Sequence, residues 1–239
     1  MNPAGPLIAH RGASAAYPEN TLVAIEQAAD QGCRWMEIDV QVTADGVAVL
    51  MHDHTVDRTT DRVGPVALMQ SADVLGARVR DPVTNAPTDQ HPPTLADVLD
   101  LCGARDLGLV LEIKATWGVD AEDAAAIAAV LPAKPPFDLL VTSFSVPALQ
   151  AIRSARPDIA LGLACLRPPL EPVQMMARLG LTAFHCNKAC TRLEELPRLL
   201  EAGAHVAVAT INDAELARSF LDAGCHGVMT DHPGLLTVE

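Results

Sequence analysis

Short extended runs alternate with Ala/Leu-rich helical runs along the whole chain, and this alternation constrains the fold more than any other feature. The extended runs are PLIAH (6–10), WMEIDV (35–40), LGLVLEI (107–113), DLLVTS (138–143), IALGLA (159–164), LTAFHC (181–186), HVAVAT (205–210) and GVMTD (227–231). Between them, helical patterns are expected near 19–31, 94–102, 120–131, 146–155, 171–179, 192–202 and 213–222. Gly32, Gly180, Gly203 and Gly224 follow four of these helices, where a left-handed residue commonly ends one. Strands that each return through a helix must run parallel. Eight such units in 239 residues predict an α/β fold closed as a (β/α)8 TIM barrel, spanning residues 1–239 as a single domain.

One stretch breaks the rhythm. TADGVAVLMHD reads as a hairpin turning at Asp45-Gly46, directly after the second strand. Residues of about 55–93 are rich in Pro, Asp and Thr and predict a small insertion in this βα connection, with one short helix near 69–75. A connection of this length is usually functional or disordered.

Side chains on a strand alternate faces. Glu37, Asp39 and Gln41 therefore share one face of the second strand, opposite Met36, Ile38, Val40 and Val42. On the third barrel strand, Glu112 and Lys114 share a face with Val110. If the apolar set packs under the helices, the polar set points inward, near the C-terminal mouth where barrels of this kind place their chemistry. Three converging carboxylates repel one another, so either their pKa values rise or a cation neutralises them. An all-oxygen set suits Mg²⁺ or Ca²⁺. Ordinary ion pairs with Arg34, Arg11 or Lys114 are the alternative. His10 ends the first strand, with Gly12 allowing a tight exit, and His52 ends the hairpin strand. Two imidazoles near neutrality can divide general-acid and general-base work. With Arg11 and Lys114 supplying fixed positive charge, the set suits a phosphoryl group.

Several neighbours have two readings. Trp117 either lines the pocket or shields a helix start, and Phe144 is placed to wall the fourth strand end. Asp53 either orients His52 or caps a turn. His185, at the end of the sixth strand, is a substrate contact or a structural histidine. Arg58, Thr59 and Thr60 are expected to hold the base of the insertion. His54, His91, His205, His226 and His232 have no converging partners in the sequence.

Bulk composition narrows the function. The net charge of −13 disfavours nucleic acid and anionic membranes as partners. Apolar residues make up 49% of the chain and aromatics only 3%, so Ala, Val and Leu must fill the core. Six scattered cysteines suit free thiols in a reducing compartment. The first residues lack a basic region followed by a long apolar run, so a cytoplasmic protein without stable membrane association is expected.

The segments AHRGASAAYPENTLVAIEQAADQG, EIDVQVTADGVAVLMHDHTVDRTT, PTLADVL, LEIK, TSF and GVMTDHP, in this order over residues 7–233, resemble the glycerophosphodiester phosphodiesterases, in particular the metal-dependent bacterial cytosolic type. The resemblance implies a TIM barrel with an insertion after the second strand and a divalent metal. By the same resemblance, Glu37, Asp39 and Glu112 correspond to metal ligands, His10 and His52 to the acid/base pair, and Arg11 and Lys114 to phosphate contacts. Glu19 and Asn20 match the family's PENT, as start residues of the first helix, with Glu19 placed to approach the metal. The implied reaction converts a small glycerophosphodiester to sn-glycerol 3-phosphate and an alcohol. The glycerol 2-hydroxyl is the proposed nucleophile and a cyclic phosphate the intermediate. One departure stands out: where relatives carry a Trp near Asn212, this chain has Ala209, so an aromatic wall for the substrate is missing. Action on lysophospholipids or another diester is therefore the rival reading, ahead of a non-catalytic binding protein.

Overall fold

The expected alternation produces a parallel sheet, and the sheet closes on itself. The computed structural model describes residues 7–234, so the expectations resting on residues 1–6 and 235–239 lie outside the described residues. The strands are β1 (Leu7–His10), β2 (Trp35–Val42), β3 (Ala48–Leu50), β4 (Gly108–Ile113), β5 (Leu139–Ser143), β6 (Ala160–Cys165), β7 (Ala183–Asn187), β8 (His205–Ala209) and β9 (Gly227–Thr230). All but β3 form a parallel ring in the order β1-β2-β4-β5-β6-β7-β8-β9, with β9 pairing back to β1. The short β3 lies antiparallel on the end of β2, as the Asp45-Gly46 hairpin predicts, and Gly46 takes the positive φ of 83° that this turn needs.

The helices are α1 (Leu22–Asp30), α2 (Ser71–Leu75), α3 (Leu95–Arg105), α4 (Asp120–Val130), α5 (Val146–Ala155), α6 (Pro172–Leu179), α7 (Leu196–Glu201) and α8 (Ala214–Asp222). Two boundaries differ from expectation for local reasons. Thr21 caps α1 by accepting a hydrogen bond from the Ala24 amide, so Glu19 and Asn20 belong to the preceding turn rather than to the helix. Residues 193–195 form a separate 3₁₀ turn before α7, whose first turn holds Pro197. The insertion is ordered around a small apolar core of Val49, Met51, Val56, Val66 and Val74.

The apolar faces of the barrel strands pack outward under the helices, with Met36, Ile38, Leu109, Leu111, Val141 and Phe184 fully buried there. The opposite faces fill the barrel. Strand register arranges them in layers of four from alternate strands. Ile8, Val110, Gly162 and Ala207 form one layer. Glu37, Thr142, His185 and Met229 lie above them, then His10, Glu112, Ala164 and Ala209. Asp39, Asn187 and the position of Asp231 come last, at the mouth. The apolar plug is thus confined to the lower barrel, and the polar inward residues from Glu37 upward are delivered to the C-terminal end. Below the plug, His205 and His226, expected to stand alone, stack with ring centroids 4.6 Å apart because β8 and β9 are neighbours.

Candidate active site

The turn out of β1 sets the geometry of the site. Arg11 adopts a left-handed conformation (φ 58°) and its amide donates to both the backbone and the side chain of Glu37. Gly12 follows at φ 80°, and a Cβ there would sit 2.5 Å from the Ala24 backbone. Only glycine lets α1 press this closely against the turn. His10 and Arg11 thereby face the mouth together.

Glu37, Asp39 and Glu112 converge as alternation and register require: Asp39 and Glu112 are directly paired across β2 and β4. Each offers an oxygen within 4.8 Å of the others. Glu37 and Asp39 are almost wholly buried. Of the expected ion pairs, those with Arg11 and Lys114 are also present, and none with Arg34 is found among the described residues. Asp39 lies 3.0 Å from Arg11 Nε and 3.1 Å from Lys114 Nζ, and Lys114 also contacts Glu112. Asn20 clamps Asp39 from two sides, its amide donating to Oδ2 at 2.9 Å and its carbonyl accepting from the Asp39 amide.

Three carboxylates therefore face two fixed cations. Burial raises the Asp39 pKa, but Lys114 and Arg11 outweigh it and hold this carboxyl below its ordinary value. Glu37 has no such partner. Burial, reinforced by the charges of Asp39 and Glu112, drives its pKa well above the usual carboxylate range. Burial also raises Glu112, against the pull of Lys114. The site is short of one positive centre at Glu37. An all-oxygen set left short of positive charge fits a hard divalent cation, and the three acids would hold it.

The two histidines are each oriented by a carboxylate. His10 Nδ1 donates to Asp231 Oδ1 at 2.6 Å, and His52 Nδ1 donates to Asp53 Oδ1 at 2.6 Å. Their environments push in opposite directions. For His10, burial lowers the pKa, but the hydrogen bond to Asp231 and the charge of Glu37 carry it above its ordinary value. For His52, burial lowers the pKa and the charges of Arg11 and Lys114 add to this, overcoming Asp39 and Asp53. Gln41 places His52 by donating from its amide to the Met51 and Asp53 carbonyls.

Arg58 does more than hold the insertion's base. Its guanidinium donates to Asp53 at 2.6 Å and to Glu19 at 2.8 and 2.9 Å, and Glu19 also accepts from Arg11 at 2.9 Å. A continuous chain of hydrogen bonds and ion pairs thus runs from His52 to Arg11. Glu19 is committed to these two guanidiniums and lies outside the converging group of three acids.

Beyond Lys114 a groove of about 500 Å³ opens, lined by His54, Glu112, Lys114, Trp117, Asp120 and Phe144 among others. Trp117 is 96% exposed, and Lys114 Nζ lies 5.8 Å from the centre of the Phe144 ring. Asn212 sits on the far side, where it donates to Asp231 Oδ2 at 2.7 Å and accepts from Thr230 and the Asp231 amide, so it braces Asp231. His185 points into the barrel, 6% exposed, and burial with some help from His205 pushes its pKa down to about 3.

Asp231 is the functional residue that reading along the chain passes over. It lies in GVMTDHP at the end of the last strand, and closure of the barrel brings that strand beside the first. The signal was available: an acid ending the eighth barrel strand must neighbour a histidine ending the first.

Comparison with known proteins agrees with this geometry. The model of the glycerophosphoryl diester phosphodiesterase family matches residues 10–235. A glycerophosphodiester phosphodiesterase of Caldanaerobacter subterraneus subsp. tengcongensis is 30% identical over 96% of this chain and 95% of its own length. The structure of an Oleispira antarctica phosphodiesterase in complex with the product sn-glycerol-3-phosphate superposes with a TM-score of 0.90 at 30% identity, covering 98% of this chain and 95% of that one. A putative glycerophosphoryl diester phosphodiesterase from Silicibacter pomeroyi gives a TM-score of 0.85 at 26% identity, covering 98% and 92%. With its family model matched from the end of the first strand to beyond the last, this chain belongs to the glycerophosphoryl diester phosphodiesterase family.

Proposed function

We propose that this protein hydrolyses small glycerophosphodiesters to sn-glycerol 3-phosphate and the head-group alcohol, with a divalent cation, Mg²⁺ or Ca²⁺, held by Glu37, Asp39 and Glu112. The observation that carries the reading is the pair of carboxylate-oriented histidines flanking a buried acid cluster that is short of positive charge. When bound, the cation supplies Lewis-acid polarisation of the phosphoryl group and neutralises the acids. Arg11 and Lys114 contact the phosphate oxygens.

The opposed shifts of the histidines divide the work. At neutral pH His52 is the neutral imidazole, and its free Nε2 takes the proton of the glycerol 2-hydroxyl as that oxygen attacks phosphorus. His10, held protonated by Asp231, delivers a proton from Nε2 to the departing head-group oxygen. The attack is intramolecular and gains from proximity. His10, now neutral, then activates water, and the protonated His52 returns its proton to the 2-oxygen as the cyclic phosphate opens. Trp117 and Phe144 wall the groove through which the head group leaves.

A soluble substrate is consistent with the absence, among the described residues, of any helix long and apolar enough to cross a membrane. Cytoplasmic placement is supported by free cysteines, among them Cys165 and Cys186 on adjacent strands with sulfurs 3.5 Å apart. A second reading, action on lysophospholipids, draws on the exposed Leu166 and Leu170 on the loop after β6, the strand beside the one that Phe144 follows.

The test is a coupled assay for released glycerol 3-phosphate from glycerophosphocholine and glycerophosphoethanolamine. It is run with EDTA and then with Mg²⁺ or Ca²⁺ restored. Cation-dependent release supports the first reading and identifies the ion. Release only from lysophosphatidylcholine, as lysophosphatidic acid, supports the second.

A further inference from the structure

The open groove beyond Lys114 holds an acid that takes no part in the chemistry at phosphorus. Asp120 is the first residue of α4 and lines the groove with Trp117 and Phe144. Its carboxylate is tied on both sides. One oxygen accepts from the Ser145 hydroxyl at 2.6 Å, the other from the Gly118 amide at 3.1 Å. Gly118 follows Trp117 and Ser145 follows Phe144, so the charge is pinned between the two segments that carry the aromatic rings. The Ser145 hydrogen bond outweighs burial and holds the carboxyl below its ordinary pKa, which keeps it ionised. Glu112 and Lys114, also on the groove wall, pair with each other, whereas Asp120 forms no ion pair among the described residues. An acid here also complements the dipole of α4, but Glu122 and Asp123 in the same turn already do so. Both rings turn to solvent: Trp117 is almost fully exposed and Phe144 is 52% exposed. Open ring faces beside an unpaired carboxylate attract an organic cation.

We propose that Asp120, Trp117 and Phe144 form a subsite for a cationic head group, which makes glycerophosphodiesters of amino alcohols, with a choline- or ethanolamine-like ammonium, the preferred substrates. This inference rests on the phosphodiesterase reading above and assigns residues to the half of the substrate that the histidines and the three acids leave unread. Lys114 marks the junction. It pairs with Asp39 and Glu112 where the phosphoryl group binds, and its Nζ lies 5.8 Å from the centre of the Phe144 ring. A head group that passes Lys114 therefore enters the groove directly. In an amino alcohol the ammonium comes only two carbons after the ester oxygen. A quaternary ammonium has no N–H to donate, so ring faces and a carboxylate recognise it where hydrogen-bond acceptors alone would not. The long-range field acts in the same direction. At a net charge of −13 the protein repels a diester with a neutral head group, which carries one negative charge, but not a net-neutral zwitterion.

The test compares kcat/KM for glycerophosphocholine with that for its 3,3-dimethylbutyl isostere, in which carbon replaces the quaternary nitrogen and only the charge is lost. Release of glycerol 3-phosphate is followed with saturating Mg²⁺ or Ca²⁺ on the wild type, Asp120→Asn and Trp117→Leu. The two alcohols differ in acidity as leaving groups, so the decisive quantity is the change in the ratio on substitution. Asp120→Asn is expected to lower the ratio of choline diester to isostere roughly two- to five-fold, the range for one partly exposed ion pair, chiefly by raising KM for the choline diester. Trp117→Leu keeps an apolar surface without a π face and should also lower it roughly two- to five-fold. An unchanged ratio in folded Asp120→Asn, or in Trp117→Leu should the first variant not fold, overturns the proposal: the groove is then a plain apolar wall, and the phosphodiesterase reading stands. Failure of the wild type to hydrolyse either compound with either cation overturns both.

Discussion

Asp231→Asn isolates the contribution of the residue that holds His10. The contact is 2.6 Å long, and the side chains are 15% and 29% exposed, so solvent screens it little. A hydrogen bond to a charged group in such a setting contributes about 1.5–3 kcal/mol. At about 1.4 kcal/mol per factor of ten, losing it corresponds to roughly 10- to 150-fold in kcat. Asparagine keeps an oxygen that can accept from His10 Nδ1, so Asp231→Asn should fall near the lower end. Asp231→Ala also leaves the Asn212 amide without its acceptor and should approach the upper end. The pH profile carries the sharper information. His10 lies above its ordinary pKa through Asp231 and then Glu37, working against burial. Removing the Asp231 charge leaves burial less opposed, so the His10 pKa falls and the alkaline limb of kcat moves to lower pH. The acid limb, set by His52, should stay in place. Steady-state assays with glycerophosphocholine across the pH range read both effects. A variant with normal kcat and an unmoved alkaline limb refutes His10 as the acid held by Asp231.

Three further outcomes are expected. In metal-free protein the folded-state pKa of Glu37 lies above its unfolded value of 4.5, so the folded state holds the extra proton. The melting temperature should therefore fall as pH rises from 4.5 through neutrality, and saturating divalent cation should flatten the decline, adding about 2.7 kcal/mol at a hundred times Kd; differential scanning fluorimetry at several pH values checks this. Glu37→Gln should reduce that pH dependence, weaken the cation and abolish most activity, whereas Asp39→Asn leaves Arg11 and Lys114 partly unpaired and should cost about 3 kcal/mol or more in urea denaturation. Trp117→Ala should raise KM for glycerophosphocholine a few-fold, as expected for an exposed cation–π contact of about 0.5–1 kcal/mol, with kcat unchanged, and an equal effect on a neutral glycerol head group would exclude cation recognition.

Much of this site could be read along the chain because strands encode direction so simply. Period-two alternation in WMEIDV and LGLVLEI was enough to bring Glu37, Asp39 and Glu112 to one face, and strand ends were enough to place His10 and His52. Contacts made by barrel closure were harder. Asp231 meets His10 only because the last strand returns to the first, and Asn212, expected at the substrate, is drawn to Asp231 instead. Glu19 has acidic chemistry suited to a metal, yet two guanidiniums converge on it, one of them from the insertion 39 residues away. The inward direction of His185 follows from alternation. That its Nε2 lacks a partner among the described residues depends on Ala164, Ala207 and Ala209 on neighbouring strands, which no local pattern displays.

The layered interior also divides the barrel into two unlike halves. Strands β1, β2 and β4 carry the acids, His10, Arg11 and Lys114, where each side chain is tied to several others and a change in one is felt by all. Strands β6 and β8 contribute only Ala164 and Ala209 at the level of His10 and Glu112. Single substitutions there can narrow or reshape the chamber without disturbing the ion-pair network across from it. A barrel arranged this way can explore new substrates one residue at a time while its phosphoryl chemistry stands still.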